Sequence, residues 1–564
     1  MEYRSNLAPG TALWAGRRAH WRAMGLSEED MLKPKIAIIN SSSELAMCFN
    51  HLDGVAAEVK AAIRAAGGIP FEVRTTAPSD FVTSAGKAGA YILPARDLIA
   101  ADIESQVEGA MLDGMVCLAS CDKTVPGQLM AAARCNVPAI VVICGYQASG
   151  EYKGKHTDIE DVFLKSSNVA AGGMTVEELS AMADVAIRSS GVCAGMGTAN
   201  SMHVVSEALG MSLPGSAPVR AAGARMLENA RRSGTRIVQM INEGLNPRHI
   251  LTEAAIRNAA QVVIALSGSI NCVKHLQAIA IEAGLDVNLT DIFAEYSRQV
   301  PLLCGVRPSG ETLTEEFEDA GGAQGVLVQL RERLDTGALT VTGRTLGENL
   351  DVAPAPDGSV IRPLDNPVST RPTLNIVKGS LLPGGGIVRI GGAGDRRMTF
   401  RGRAKLYHSR DEALAGIRAG EVQPGHVVIL RGLGVIGGPG LALTSAVVFA
   451  LDNAGLVDEV GVITEGQLSG LVNKGLVVGE ATPEAAAGGP LAWVDEGDEI
   501  LIDVPNARVD LLVDEAELER RRQTPRSFGA RIPNGWLNVY QRTAGPVHEG
   551  AVMSPGGPAI SGRE

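Results

Sequence analysis

Apolar and polar positions near the start of the chain alternate in blocks that predict a strand followed by a helix. The apolar run KIAIIN at residues 35–40 has the length and β-branched content of a buried strand. Apolar residues then recur at helical spacing between Leu52 and Ile63, and Gly67 with Gly68 ends that helix.

The same pattern returns about 80 residues further on and predicts a parallel sheet. GMVCLAS (114–120) and PAIVVIC (138–144) are predicted strands, and between them a helix with Pro126 as its first residue runs through Ala133. A strand, loop, helix and strand of these lengths form a βαβ unit, whose ligands collect at the loops that follow the strands. Further along, Thr175 and Glu178 have the spacing of a capping box at the start of another helix.

The pattern of apolar and polar residues changes after a Pro- and Asp-rich stretch at 351–374, which is predicted to connect two domains. Short apolar runs then alternate with glycine turns, and a helix is predicted around 441–454. The runs are IVKGSLL, GIVRIGG, MTFRGRAKLYHS, HVVILRG, EVGVITEG, EILIDV and RVDLLV. We therefore expect an α/β protein, with an N-terminal α/β domain around a parallel sheet (1–365) and a smaller C-terminal β-rich, barrel-like domain (366–564).

Composition excludes several classes of function. The 564 residues carry 51 basic and 63 acidic side chains, and a net charge of −12 argues against a nucleic-acid or anionic-membrane partner. The sequence contains no apolar stretch of about 20 residues, as a membrane span needs, and its start lacks the apolar core of a secretory signal. Eight cysteines in so long a chain do not make a disulfide framework. These features predict a cytoplasmic enzyme.

Three cysteines stand in loops rich in small residues and within dense motifs. They are Cys48 in SSELAMCFNHL, Cys121 in SCDKTVPGQLMAAA and Cys193 in GVCAGMGTANSM. Three thiolates brought together from distant loops suit an iron–sulfur cluster with one iron left open, which can act as a Lewis acid on a substrate oxygen. The other five cysteines have apolar neighbours and are predicted core residues: Cys117, Cys135, Cys144, Cys272 and Cys304.

These motifs, together with EALGMSLPG, TVTGRTLGEN, GGPG (437–440) and TEGQLSG (464–470), resemble the dihydroxy-acid and sugar-acid dehydratases, which include phosphogluconate dehydratase. The resemblance extends from about residue 10 to residue 520. It implies that Cys48, Cys121 and Cys193 bind the cluster, with [2Fe-2S] favoured over [4Fe-4S], and that the open iron takes the departing C3 hydroxyl. It also implies that Ser469 is the base that removes the C2 proton.

The resemblance further implies a magnesium site at Asp122 and at Lys123, a lysine that is carbamylated in relatives. Two expected carboxylates are replaced in this sequence. One falls at Lys87, or at Ala88 with a shifted gap, and the other at Leu443. Asp80 and Glu465 are the carboxylates that could compensate. Gln467 and Glu465 stand where an arginine and an aspartate are usual.

The motifs SINCVKHLQAIA and VIRPLDNP favour the sugar-acid branch, so the first hypothesis is dehydration of an aldonate to a 2-keto-3-deoxy acid. Alternatives are a dihydroxy-acid dehydratase acting on branched 2,3-dihydroxy acids, and a degenerate non-catalytic paralogue in which Lys87 replaces the metal ion. By resemblance, the partners are a small hydroxy acid and copies of the same chain in a homodimer or homotetramer.

Overall fold

The computed structural model describes residues 3–170, 172–390, 397–470, 472–529 and 531–553, apart from the side chains of residues 88 and 170. The strands are β1 (Lys35–Asn40), β2 (Ile69–Arg74), β3 (Gly114–Ala119), β4 (Ala139–Ile143), β5 (Gly150–Tyr152), β6 (Lys155–Thr157), β7 (Leu374–Val377), β8 (Gly385–Arg389), β9 (Thr399–Tyr407), β10 (His426–Leu430), β11 (Gly461–Thr464), β12 (Leu476–Thr482), β13 (Glu499–Asp503) and β14 (Arg508–Leu511).

The α-helices of the first two-thirds of the chain are α1 (Ala12–Ala23), α2 (Leu52–Ala65), α3 (Asp80–Thr83), α4 (Ile92–Gly109), α5 (Thr124–Cys135), α6 (Ile159–Ala170), α7 (Val176–Ala186), α8 (Thr198–Ala208), α9 (Ala224–Glu243), α10 (Pro247–Ile250), α11 (Glu253–Ala265), α12 (Asn271–Ala283), α13 (Leu289–Tyr296), α14 (Thr314–Asp319), α15 (Gly322–Gln329) and α16 (Leu346–Leu350). Those of the remainder are α17 (Arg410–Arg418), α18 (Ser445–Asn453), α19 (Glu515–Arg522) and α20 (Gly535–Thr543).

The N-terminal part is built around a four-stranded parallel sheet in the order β2-β1-β3-β4. Strands β1, β3 and β4 are buried along their whole length, which is why they read as continuous apolar runs rather than as alternating ones. Helices α2 and α9 pack on each other and on the sheet, and α8, α11, α12 and α15 form a helical layer beyond it. The predicted α/β domain with a parallel sheet is confirmed.

Two local predictions in this part have different outcomes. The Thr175–Glu178 capping box is confirmed, because each side chain bonds the other residue's backbone N–H. Pro126 as first helical residue is wrong: α5 begins at Thr124. The turn after β3 tightens directly into the helix, since the Thr124 hydroxyl donates to the carbonyl of Cys121 and accepts from the amide of Ser120.

The C-terminal part is an eight-stranded mixed sheet in the order β14-β13-β9-β10-β11-β12-β8-β7. Its ends nearly meet: the Lys378 amide donates to the Ala507 carbonyl at 2.9 Å, and the Val509 amide donates to the Lys378 carbonyl at 2.9 Å. The predicted barrel-like domain is confirmed. Of the run GIVRIGG, residues 391 and 392 lie outside the described residues.

The barrel strands serve two cores through the alternation of their side chains. On β10, Val427 and Ile429 point into a core inside the barrel, whereas Val428 and Leu430 join the large core shared with the N-terminal part. The two parts are therefore packed together over a continuous apolar surface. The boundary expected at 365/366 falls in the connection between α16 and β7 and stays a prediction.

The chain returns to the N-terminal part near its end. Arg96 on α4 is fully buried and pairs with Asp97, and its guanidinium also donates to the carbonyls of Gly550 and Ala551 at 2.8 and 2.9 Å. The hydroxyl of Tyr540 on α20 donates to the Ala551 carbonyl at 2.6 Å. The segment that contains residues 550 and 551 therefore completes the hydrogen bonds of Arg96, which lies 454 residues before Gly550. Within the described ranges, no helix is both long enough and apolar enough to cross a bilayer.

Candidate active site between the two domains

The two cysteines Cys48 and Cys121 follow neighbouring strands of the parallel sheet. Cys48 lies in the loop after β1, and Cys121 lies two residues after β3 ends. Because the carboxyl ends of parallel strands meet at one edge, the two loops lie side by side. The Ser120 hydroxyl donates to the Cys48 carbonyl across them.

Cys193 reaches the same place from the loop before α8. The thiols of Cys48 and Cys121 form a hydrogen bond, which together with burial raises the pKa of Cys121 well above its usual value. Burial and the neighbouring Cys48 likewise raise the pKa of Cys193. Cys121 and Cys193 both line one cavity. The structure thus brings the three predicted cysteines together, whereas Cys117, Cys144, Cys272 and Cys304 are buried core residues and Cys135 is half-buried.

Two polar residues of α8 hold the cysteine loops in position. The amide of Asn200 donates to the carbonyls of Cys193 and Gly195 at 2.9 and 2.8 Å. The ring of His203 contacts the Ser120 carbonyl through Nε2 at 2.8 Å. Burial lowers the pKa of His203 to about 4, so the ring is neutral and Nε2 is the donor. The loops are fixed by backbone bonds that leave the sulfur atoms free for a ligand.

Asp80, Asp122 and Lys123 form a compact charged group beside Cys121. The Nζ of Lys123 lies 3.0 Å from Asp80 Oδ2 and 3.9 Å from Asp122 Oδ2. The lysine side chain is fully buried, and although burial opposes its charge, the two carboxylates raise its pKa. Burial and the proximity of Asp80 raise the pKa of Asp122 to about 7.

This group has the donors that a divalent cation needs. Oxygen atoms of Asp80 and Asp122 lie within 4.8 Å of each other and of the Cys121 sulfur. Asp80 Oδ1 is buried and has no hydrogen-bond partner among the described residues, so one carboxylate oxygen is left for a further ligand. Two acidic oxygens at this separation suit Mg²⁺, which prefers hard oxygen ligands.

Of the two carboxylates that could compensate, one lies in the cavity. Asp80, the first residue of α3, lies beside Asp122 and lines the cavity. Lys87 is exposed, does not line the cavity, and has its ammonium 5.8 Å from the ring centroid of Tyr91. This position gives no support to a replacement of the metal by Lys87, which stays a prediction, and the side chain of Ala88 lies outside the described part of the chain.

Glu465 does not compensate. Its carboxylate is fully buried and accepts hydrogen bonds from the backbone amides of Gly432, Leu433 and Ala485 at 2.5–3.2 Å. It thus fixes the loops around the GGPG turn rather than facing the cavity. Leu443, which takes the place of the other expected carboxylate, lines the cavity with its apolar side chain.

Ser469 enters the cavity from the barrel, in the loop between β11 and β12. Its backbone N–H donates to the hydroxyl of Ser445 at 2.6 Å, and the carbonyl of the next residue, Gly470, accepts from the guanidinium of Arg389. Arg389 is buried, and burial lowers its pKa to about 10, so it remains a cation at neutral pH. The predicted serine therefore faces the cysteines and the carboxylates across one cavity, beside a fixed positive charge.

The cavity has an empty volume of about 650 Å³ and chemically distinct walls. The apolar wall consists of Phe81, Phe163, Ala199 and Leu443, with the rings of Phe81 and Phe163 packed edge to face at 5.3 Å. Gly197 at the N-terminus of α8 has no side-chain cap, so the first amides of this helix can meet an anionic group. The buried Gln467 Oε1 has no partner among the described residues and lies in the lining.

Sequence reasoning missed four polar residues of the lining: Ser84, Glu160, Thr198 and Asn271. The amide of Asn271 donates to the Thr198 hydroxyl at 2.9 Å, and Lys274 donates to the Asn271 side-chain oxygen. Thr198 in turn hydrogen-bonds Asp122. Asn271 lies within SINCVKHLQAIA, whose polar residues in an apolar helix were the available signal.

Comparison with known proteins agrees with this two-part organisation. The sequence profile of the Dihydroxy-acid/6-phosphogluconate dehydratase N-terminal domain matches residues 33–349, and that of the C-terminal domain matches residues 359–551. The fold and the profiles define a hydro-lyase with its site between two domains. The chain belongs to the dihydroxy-acid/6-phosphogluconate dehydratase family.

Curated relatives are similar over nearly the whole chain. A protein named dihydroxy-acid dehydratase from Ignicoccus hospitalis is 42% identical over 96% of this chain and 98% of its own length. Proteins of the same name from Methanothrix thermoacetophila and Aquifex aeolicus are 40% and 37% identical, each over 98% of this chain and 100% of their own length. These names support the branched dihydroxy-acid alternative better than the aldonate hypothesis that the sequence motifs favoured.

Proposed function

We propose that this protein is an iron–sulfur-dependent dehydratase that converts a branched 2,3-dihydroxy acid to the corresponding 2-keto acid. The observation that carries the substrate class is the apolar wall of Phe81, Phe163 and Leu443 in the cavity that Cys121 and Cys193 also line. Such a wall favours an alkyl substituent, whereas an aldonate would leave its chain of hydroxyl groups without partners there. The names of the relatives support the same class.

In this proposal Cys48, Cys121 and Cys193 hold the cluster. The soft sulfur donors fit iron, and their burial beside a cavity suits a group that needs protection from water. A cluster with one open iron position supplies a Lewis acid for the substrate hydroxyl. Cluster type stays a prediction, with [2Fe-2S] favoured.

Asp80 and Asp122 are proposed to hold Mg²⁺ with Lys123. As an ammonium, Lys123 pairs with both carboxylates, at 3.0 and 3.9 Å, and offsets one of their two negative charges. As a carbamate it would bring a third negative group to them, an arrangement that is stable only with a divalent cation between them. Carbamylation and metal binding are therefore expected to occur together.

Ser469 is proposed to remove the C2 proton. A serine hydroxyl is a weak base, so its alkoxide requires positive charge nearby. Arg389 provides one such charge through the adjacent Gly470 carbonyl, and Mg²⁺ would provide another. Loss of the C2 proton and of the C3 hydroxyl gives an enol, which tautomerises to the 2-keto acid, and the uncapped amides at α8 are available to the substrate carboxylate.

The test is a comparison of substrates with anaerobically reconstituted protein. We expect 2-keto acid to form from 2,3-dihydroxy-3-methylbutanoate with a kcat/KM at least about tenfold above that for gluconate, the difference that a few unpaired hydroxyls produce. Preference for gluconate would overturn the substrate assignment. Full iron and sulfide content without turnover of either acid would favour the non-catalytic paralogue.

A further inference from the structure

Glu160 is a buried carboxyl group in the cavity that the proposed chemistry has not used. It is the second residue of α6, is only 5% exposed and lines the cavity. Its backbone N–H donates to Asp158 Oδ1 at 2.8 Å, but within the described ranges no donor or cation contacts its carboxyl oxygens. A buried polar group without a protein partner requires an explanation, and a catalytic role or a bound ligand is one.

The neighbouring acids show that Glu160 is not needed to start the helix. Asp158 Oδ1 caps α6 by accepting from the amides of Glu160 and Asp161. Asp161 Oδ2 accepts the Asp158 amide, and its Oδ1 pairs with Arg307 at 3.1 Å. Both neighbours therefore have structural partners, and Glu160 alone of the three lines the cavity.

The loop that carries Cys193 is shaped around this carboxyl group. A Cβ atom at Gly195 would collide with the carboxyl of Glu160, and one at Gly197 would lie 3.4 Å from its Oε1. These glycines allow the carboxyl to lie directly against the loop of a cluster cysteine. Glu160 is thus on the cysteine side of the cavity, where the departing hydroxyl is expected.

We propose that Glu160 is a further catalytic residue, whose carboxyl group hydrogen-bonds the C3 hydroxyl of the substrate and donates a proton to it as the C3–O bond breaks. This inference rests on the proposed dehydration. Glu160 would thus supply an acidic group from α6 to a cavity in which Leu443 stands in place of an expected carboxylate.

The step balances. Ser469 takes the C2 proton, the C2–H electrons form the C2–C3 double bond, and the C3 oxygen leaves as water with the proton from Glu160. The Glu160 carboxylate regains a proton from solvent when Ser469 releases its own, so no other reactant is needed. Burial and the carboxylates of Asp158 and Asp161 raise the pKa of Glu160 well above its usual value, against the opposing charges of Arg307 and Arg389, and this direction favours the protonated form that the step requires.

The first experiment compares the Glu160→Gln and Glu177→Gln holoenzymes with the wild type. Glutamine keeps the shape but has no acidic proton, so kcat for the dihydroxy acid should fall by about 100-fold or more, with iron and sulfide per chain unchanged. Glu177→Gln makes the same chemical change at an exposed position in the first turn of α7, away from the cavity, and should leave kcat within about twofold; a change at Asp161 would not serve as the control, because Asp161 acts on the pKa of Glu160. A kcat for Glu160→Gln within about threefold of wild type, or loss of iron from this variant, would overturn the proposal.

The second experiment uses equilibrium binding and so does not depend on turnover of the Glu160 variant. In the Ser469→Ala holoenzyme, Glu160→Leu should weaken binding of 2,3-dihydroxy-3-methylbutanoate about tenfold but leave binding of 2-hydroxy-3-methylbutanoate within about twofold, because only the first has a C3 hydroxyl. Equal effects on both acids would overturn the contact. If wild type dehydrates no dihydroxy acid, the proposed function fails, and this binding comparison still decides whether Glu160 meets the C3 hydroxyl.

Discussion

The parallel sheet and the barrel contribute to the cavity in different ways. At the sheet, loops after neighbouring strands bring together sulfur and carboxylate donors, including Cys48, Cys121 and Asp122. The barrel contributes a single hydroxyl, Ser469, and apolar or uncharged neighbours such as Leu443 and Gln467. The sheet side is therefore suited to holding cations, whereas the barrel side adds a hydroxyl and an apolar side chain to a lining whose other apolar residues, Phe81 and Phe163, come from the N-terminal part.

This difference explains which departures from the family pattern the molecule tolerates. On the sheet side Asp80 lies beside Asp122, so two acidic groups remain together although the family resemblance places the expected carboxylate at Lys87 or Ala88. On the barrel side, Leu443 and Gln467 stand where a carboxylate and an arginine are expected. No described residue of the barrel brings a charge to the cavity lining. Changes on the two sides should therefore have separable effects on metal content and on turnover.

The largest effect is expected from removing a sulfur donor. Cys121→Ser should lower iron and sulfide per chain to background and turnover by more than about 1,000-fold, since the Lewis acid contributes several kcal/mol to the barrier. Cys135→Ala, at the half-buried end of α5, is the matched control and should retain both. Normal iron content in the Cys121 variant would show that the cysteines do not form the cluster site.

A change on the barrel side should separate chemistry from metal binding. Ser469→Ala should reduce kcat about 1,000-fold, the usual contribution of a general base, while iron, sulfide and magnesium stay at wild-type levels. Ser166→Ala, on an exposed helix position, should have no effect. The assignment of the base to Ser469 would not survive a kcat that remains within tenfold of wild type.

Asp80→Asn tests the second metal group of the sheet side. Loss of one carboxylate should weaken Mg²⁺ binding by about 100-fold in a calorimetric titration, without changing iron content. Lys87→Asn is a suitable control, because asparagine tolerates the positive φ of 46° at this position and the side chain is remote from the cavity. If the Lys87 variant rather than the Asp80 variant lost magnesium, the structural assignment would be reversed.

The smallest effect is expected at a residue that only holds the serine loop. Ser445→Ala removes the acceptor of the Ser469 amide and should lower kcat by about five- to tenfold, the cost of one buried hydrogen bond. Ser105→Ala, exposed on α4, should be neutral. A loss as large as that of Ser469→Ala would mean that Ser445 itself takes part in the proton transfer.

Local patterns predicted much of the fold because the relevant forces are local. Strands β1, β3 and β4 are buried on both faces, so their sequences are unbroken apolar runs with glycine or polar ends. The meeting of Cys48 with Cys121 also follows from the sequence, because both loops leave the same edge of a parallel sheet.

The missed residues depend on contacts between distant segments. Asp80 is the first residue of the one-turn helix α3 and pairs with Lys123, which lies 43 residues later in the chain. The family resemblance places the corresponding carboxylate several residues away, at Lys87 or Ala88. Glu160 reads as an ordinary acid in the first turn of a helix, where negative charge is common. Only the packing of α6 on the glycine loop before α8 turns its side chain into the cavity.

The buried Arg96 has a consequence for chains that end early. Asp97 answers the charge of its guanidinium locally, but two of its hydrogen bonds go to carbonyls of residues 550 and 551, so the interior of α4 is completed only when that distant segment has docked. A chain that lacks these two residues should therefore bury the Arg96 guanidinium with two hydrogen bonds fewer and be less stable in its N-terminal part.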